Sequence, residues 1–120
     1  MADDFPTTIF HNPQCGTSRS ALAILREAGG EPTVVEYLKT GWTRPQLVKL
    51  FADAGLTAGQ AVRRRNLPDP AAAALEHAKT DSAIIDAMVA YPILVERPFV
   101  VTPKGAKLCR PAETTRELLP

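Results

Sequence analysis

A lone cysteine at position 15 stands in a stretch with no apolar neighbours, His11-Asn12-Pro13-Gln14-Cys15-Gly16-Thr17-Ser18-Arg19. A thiol of ordinary pKa, about 8.5, is only a few per cent ionised at pH 7, so a nucleophilic cysteine needs surroundings that prefer the anion. Lowering its pKa by about two units takes about 2.7 kcal/mol of such preference. The unpaired amides at a helix start among Gly16 to Arg19 would present partial positive charge to the sulfur, and His11 or Arg19 would add to it. Gly16 leaves the backbone free to form a concave nest of N–H groups, of the kind that cradles tetrahedral oxyanions, so that nucleophile and anion seat coincide. His11 and Cys15 are metal-ligand types, but His77 and Cys109 are remote in sequence and no Cys-x-x-Cys pair completes a tetrahedral set, which points to no metal. Ser18 occupies the position where a resolving cysteine would stand, so the pattern is that of a one-thiol enzyme rather than a dithiol redox centre.

The elements around this stretch must hold it at a strand-to-helix turn. Thr7-Thr8-Ile9-Phe10 is β-branched and aromatic and runs into the Asn12-Pro13 breaker, which predicts a strand and then a loop. Ala21, Ile24, Leu25 and Ala28 fit one buried helix face, stopped by Gly29-Gly30. Thr33 to Tyr37 reads as a second strand, parallel to the first if the crossover is right-handed. Thr43-x-x-Gln46 and Thr57-x-x-Gln60 are two helix-start signals. The first precedes an apolar face of Leu47, Leu50, Phe51 and Ala54; the second precedes Ala61-Val62-Arg63-Arg64-Arg65, read as helix with the arginines at its solvated end. Further helices are expected over Ala71 to Lys79 and Asp81 to Ala90, the latter turning Ile84, Ile85, Met88 and Val89 inward. After Tyr91-Pro92 come short apolar runs, Ile93-Leu94-Val95 and Phe99-Val100-Val101. A turn at Thr102-Pro103-Lys104-Gly105 and a strand over Ala106 to Cys109 then make a β-hairpin, and Pro111 to Leu119 closes as a short helix. The expected fold class is α/β with a mixed sheet, ordered β-α-β, helical insertion, β-β-α, in a single domain over residues 1–120.

Fourteen Lys and Arg against thirteen Asp and Glu leave a net charge of +1, so no global field favours nucleic acid or an anionic membrane, and any anion must be bound locally. The start Met-Ala-Asp-Asp-Phe lacks a basic targeting region, and no stretch has the length of a membrane span. With two cysteines in all, a cytoplasmic location is expected.

The stretch from His11 to Arg19 closely resembles the active-site motif of the glutaredoxin-coupled arsenate reductase (ArsC) family, which carries the same residues at a strand-to-helix turn. The resemblance continues through Glu31-Pro32-Thr33, Tyr37-Leu38, Thr43-Arg44, Arg63, Tyr91-Pro92-Ile93-Leu94, Arg97-Pro98, Val100 to Pro103 and Leu108-Cys109-Arg110-Pro111. It implies a thioredoxin-like fold with a helical insertion, and a cis peptide before Pro98 facing the active-site turn. The family's nucleophile falls on Cys15, its thiolate-favouring histidine on His11, and its oxyanion-binding arginines on Arg63, Arg97 and Arg110. Ser18 would orient the sulfur by hydrogen bonding. The implied reaction is reduction of arsenate to arsenite through a Cys15 adduct, with glutathione as co-substrate, glutaredoxin as partner, and no bound cofactor. The match selects Arg63 over Arg64 and Arg65. Guanidinium forks suit that chemistry, because thiolate attack on a charged oxyanion brings like charges together.

Two other functions share these features. One is a related thiol enzyme acting in deglutathionylation or on a different oxyanion. The other is a non-enzymatic redox regulator that binds RNA polymerase; that branch uses a Cys-x-x-Cys switch and lacks the arginines, so Ser18, Arg97 and Arg110 count against it. Cys109 fits a strand as a packed core thiol, His77 a surface position, Met88 the core, and Trp42 a loop anchor.

Overall fold

A computed structural model describes residues 5–120 of the chain; Met1 to Asp4, part of the start read above for a targeting region, lie outside the described residues. The described residues form two compact units, one made of those up to Tyr37 together with Arg97–Pro120, the other of Leu38–Glu96.

The first unit is built on four strands, β1 Thr8–Phe10, β2 Thr33–Val35, β3 Phe99–Thr102 and β4 Gly105–Leu108, in the order β2-β1-β3-β4. β1 pairs parallel with β2, Ile9 opposite Val34, and antiparallel with β3, Ile9 opposite Val100. This is the mixed sheet expected from the sequence. The crossover between β1 and β2 is α1, Gly16–Glu27, which turns Ala21, Ile24 and Leu25 inward. Ala28, expected on that buried face, is instead the exposed residue that ends the helix, because the chain turns away toward Gly29, whose φ of 96° only glycine adopts without strain. A 3-10 helix over Ala112–Leu118 packs beside α1. Their shared core is Ile9, Ala21, Ile24, Leu25, Val100, Cys109, Ala112 and Leu118. Thr102 Oγ1 fastens this layer by donating to the Leu118 carbonyl at 2.9 Å.

Cys109 is fully buried in this core, its Sγ 3.7 Å from the Lys107 carbonyl, and burial pushes its thiol above the ordinary value. It should therefore be inert. In native protein at pH 7.5, iodoacetamide is expected to label one thiol per chain, and Cys109→Ala to leave turnover intact while costing about 1 kcal/mol in denaturant unfolding from the lost packing. Loss of turnover in a folded Cys109→Ala protein would give this thiol a role beyond packing.

The second unit is helical: α3 Arg44–Ala54, α4 Ala58–Ala61, α5 Asp69–His77 and α6 Asp81–Ala90, preceded by α2, Tyr37–Thr40, a short helix at the junction that begins where β2 was expected to continue. Both threonine start signals form complete capping boxes, Thr43 with Gln46 and Thr57 with Gln60. Arg44 ties α3 to α6, donating to Asp86 Oδ1 at 2.7 Å and to Ser82 Oγ at 2.6 Å.

Three expectations fail here. The helix begun at Thr57 stops at Ala61 instead of continuing through the arginines. Val62 makes a β-bridge to Val95, Arg63 N–H donates to the Leu94 carbonyl and Glu96 N–H to the Ala61 carbonyl, so backbone pairing takes over from helix. Ile93 and Leu94, expected in a short apolar run with Val95, lie instead in one turn of 3-10 helix over Pro92–Leu94. Val89 is 38% exposed, since Ile84, Ile85, Ala87 and Met88 fill the buried side of α6.

Candidate active site at the first turn

Asn12 shapes the turn that presents Cys15. Its side-chain Oδ1 accepts from Gln14 N–H at 2.9 Å, and its carbonyl from Cys15 N–H at 3.0 Å, folding Asn12 to Cys15 back on itself. Cys15 then takes the cap position of α1 with extended backbone, φ −98° and ψ 121°, and no side-chain capping bond of its own. The first turn of α1 carries no carboxylate. An anion at this helix start meets amides unopposed by acid.

Cys15 is partly exposed, and its thiol lies below the ordinary value. Burial, the largest influence, acts to raise it; the amide of Ser18, the Arg110 guanidinium, the charge of Arg97 and the amide of Thr17 together outweigh that. Arg110 reaches the sulfur from the end of the hairpin, with one guanidinium nitrogen 3.7 Å from Sγ. The same nitrogen donates to the Arg97 carbonyl at 3.0 Å, which links the two arginines through the chain before Pro98. The Arg97-Pro98 peptide is cis, as the resemblance implied, and Arg110-Pro111 is cis as well, which no residue pattern predicted.

His11 is 6% exposed, and its Nδ1 lies 2.7 Å from Ser18 Oγ. Its pKa is lowered, chiefly by burial; Glu36 pulls the other way, while Arg26 and Arg19 push it further down. The imidazole is neutral at pH 7. This corrects the expectation that His11 adds positive charge to the sulfur: the side chain is buried against Ser18. Arg19 likewise is not among the groups that shift the thiol; one guanidinium nitrogen donates to the Pro13 carbonyl at 2.8 Å. The charges that depress the thiol are those of Arg110 and Arg97.

Ser18 is fully buried, and its hydroxyl accepts from Asn12 N–H at 3.0 Å besides meeting His11. Its amide, not its hydroxyl, is the group that favours the thiolate. The structure thus gathers His11, Cys15, Ser18, Arg97 and Arg110 within one unit. Arg63 belongs to the other, half-buried, where its Nε donates to the Arg65 carbonyl at 2.9 Å. Asn12 is the functional residue that sequence reasoning passed over as a mere breaker; its place three before a cysteine was the available signal, since Asx side chains close turns of that span. Among the described residues, no three His, Cys, Asp or Glu side chains gather as a metal would require.

The neutral buried imidazole has a consequence for stability. His11 binds its proton more weakly folded than unfolded, so the unfolded state takes up more protons as pH falls through the unfolded value of 6.5. The contribution is therefore complete above that value and is lost as pH drops below it toward the lower folded pKa. Melting temperatures measured from pH 7.5 to 5 should fall for the wild type and fall less steeply for His11→Gln. Parallel curves would mean that the imidazole is not held neutral by burial.

A parallel β-α-β start, an antiparallel hairpin and a partly exposed thiol at the first strand-to-helix turn define an α/β protein of thioredoxin-like fold. The chain belongs to the ArsC family, whose sequence profile matches residues 10–118. It is 54% identical over 111 residues to arsenate reductase ArsI2 of Synechocystis sp., a match covering 92% of this chain and 79% of that protein. It is 48% identical over 113 residues to an arsenate reductase of Escherichia coli, covering 94% of this chain and 80% of that one. Among solved structures, the arsenate reductase from Vibrio cholerae is similar with a TM-score of 0.86 at 33% identity, over 96% of this chain and 98% of that chain. Among the described residues, no helix is long and apolar enough to cross a membrane.

Proposed function

We propose that this protein reduces arsenate to arsenite, with Cys15 as the nucleophile, glutathione as co-substrate and glutaredoxin as partner. The observation that carries this reading is the Cys15 sulfur held at the start of α1 with the Arg110 guanidinium 3.7 Å away. The ArsC membership and the names of the relatives supply the substrate.

Arsenate at neutral pH is an anion, and a thiolate approaching it must overcome repulsion. Arg97 and Arg110 offset that charge in the encounter and again as negative charge gathers on the arsenic-bound oxygens. Arg63 is proposed as the third guanidinium on the resemblance alone. In the first step Cys15 sulfur bonds to arsenic, and one oxygen leaves, protonated, as water. Glutathione sulfur then bonds to arsenic and a second oxygen departs as water. A glutaredoxin thiolate next attacks the glutathione sulfur. The S–S bond forms and the bond from glutathione to arsenic breaks, leaving its electron pair on arsenic, which passes from As(V) to As(III) while the two thiols become a mixed disulfide. Water cleaves the remaining bond to Cys15, releasing arsenite and the free thiol. The residues named hold or offset charge without a bound cofactor. A cytoplasmic setting, where thiols stay reduced, suits such a cycle.

The test is a coupled assay with arsenate, glutathione, glutaredoxin, glutathione reductase and NADPH. Arsenate-dependent NADPH oxidation above the enzyme-free rate supports the proposal, with omission of glutaredoxin slowing it. A folded protein that gives no such oxidation would sink it.

A further inference from the structure

We infer that the open groove between α1 and the start of the C-terminal 3-10 helix is the seat of the thiol tripeptide, with Arg19 and Glu113 on its walls taking glutathione's carboxylate and ammonium groups. This rests on the function proposed above and adds to it a site for the second substrate. The groove has a volume of about 640 Å³, a size in the range of small-molecule sites. It lies entirely in the unit that carries Cys15. Gly16 and Thr17 on one wall follow Cys15 in the chain, and Pro111 on the other follows Arg110, whose guanidinium contacts the sulfur, so the groove is lined by the residues that flank both reactive groups in sequence.

The chemistry of the walls selects among thiols. Glutathione at neutral pH carries two carboxylates, one ammonium group and a thiol between them, on a chain of peptide bonds. Arg19 on the α1 wall and Glu113 on the facing wall offer one charge of each sign, with the hydroxyls of Thr17 and Ser20 as hydrogen-bonding groups. One guanidinium nitrogen of Arg19 is anchored on the Pro13 carbonyl, and another stands 3.7 Å from where a side chain on Gly16 would begin, so the fork lies across the glycine beside the cysteine. A fork held in this way is suited to a carboxylate, because part of its ordering cost is met before the ligand arrives. Monothiols without charged ends find no such partners.

The probe is S-methylglutathione, which cannot react, titrated into the full chain and followed by amide chemical shifts. Shifts clustered at Gly16, Thr17, Ser20 and Glu113, with binding weakened about threefold to fivefold in Arg19→Ala and in Glu113→Gln, are expected for exposed charge pairs of this kind. Glutathione ethyl ester, esterified on glycine, should bind less well than glutathione to the wild type and about equally to Arg19→Ala. Turnover adds a second readout: the KM for glutathione should rise in both variants, and the KM for 2-mercaptoethanol should not. Shifts elsewhere, or unchanged affinity in both variants, would overturn the subsite. Binding at the groove in a protein that reduces no arsenate would instead keep the subsite and remove the arsenate reaction.

Discussion

Cys15→Ser should lower arsenate-dependent NADPH oxidation to below about one thousandth of the wild-type rate, the scale of loss seen when a nucleophile is removed. A serine hydroxyl is not appreciably ionised at neutral pH, and the arginines that favour a thiolate cannot bring it into range. If an oxygen ester of arsenate did form there, water would return it to arsenate without transferring electrons. The same substitution should not harm folding. Cys15 occupies a cap position with extended backbone and makes no side-chain capping bond, whereas serine is among the preferred residues there. The variant is therefore expected to melt at the wild-type temperature or slightly above it while being dead in the coupled assay. Retained turnover in Cys15→Ser would remove the sulfur from the mechanism altogether.

The first turn was legible because local rules decide it. A β-branched run, an Asn-Pro breaker and a helical apolar period place Cys15 at a helix start whatever the remainder of the chain does, and the amides follow from that placement. The two capping boxes were legible for the same reason, since each is complete within four residues. The Arg63 segment was not. Its sequence suits a helix, but backbone pairing of 61–63 with 94–96, some thirty residues on, takes the hydrogen bonds that a helix would have used. The state of His11 was hidden too. Spacing shows that a histidine lies near the cysteine, but whether it is charged depends on burial against Ser18, which only the packed turn reveals. The route by which Arg110 reaches the sulfur is likewise tertiary, because 95 residues separate the two in sequence and the hairpin brings them together.

That long-range contact makes Arg110→Ala the sharper test of the electrostatics. The loss would remove the guanidinium at Cys15 Sγ and also the donor to the Arg97 carbonyl, leaving the amides of Ser18 and Thr17 and the charge of Arg97 to oppose burial. Since burial raises the thiol and Arg110 lowers it, the midpoint of iodoacetamide labelling against pH should move upward. Below the wild-type midpoint both proteins label slowly, between the two midpoints the variant lags, and above both the rates converge. Reduction should suffer more than labelling, because the same guanidinium also offsets charge on the arsenate oxygens, which iodoacetamide lacks. A fall of about 10²-fold in kcat/KM for arsenate is expected, the scale of one lost oxyanion donor. Arg110→Lys should recover most of the labelling shift but less of kcat/KM, since a point charge replaces the field but not the planar fork. If Arg110→Ala labels with the wild-type pH profile, the 3.7 Å contact has no bearing on the thiolate, and its stabilisation must come from the start of α1 alone.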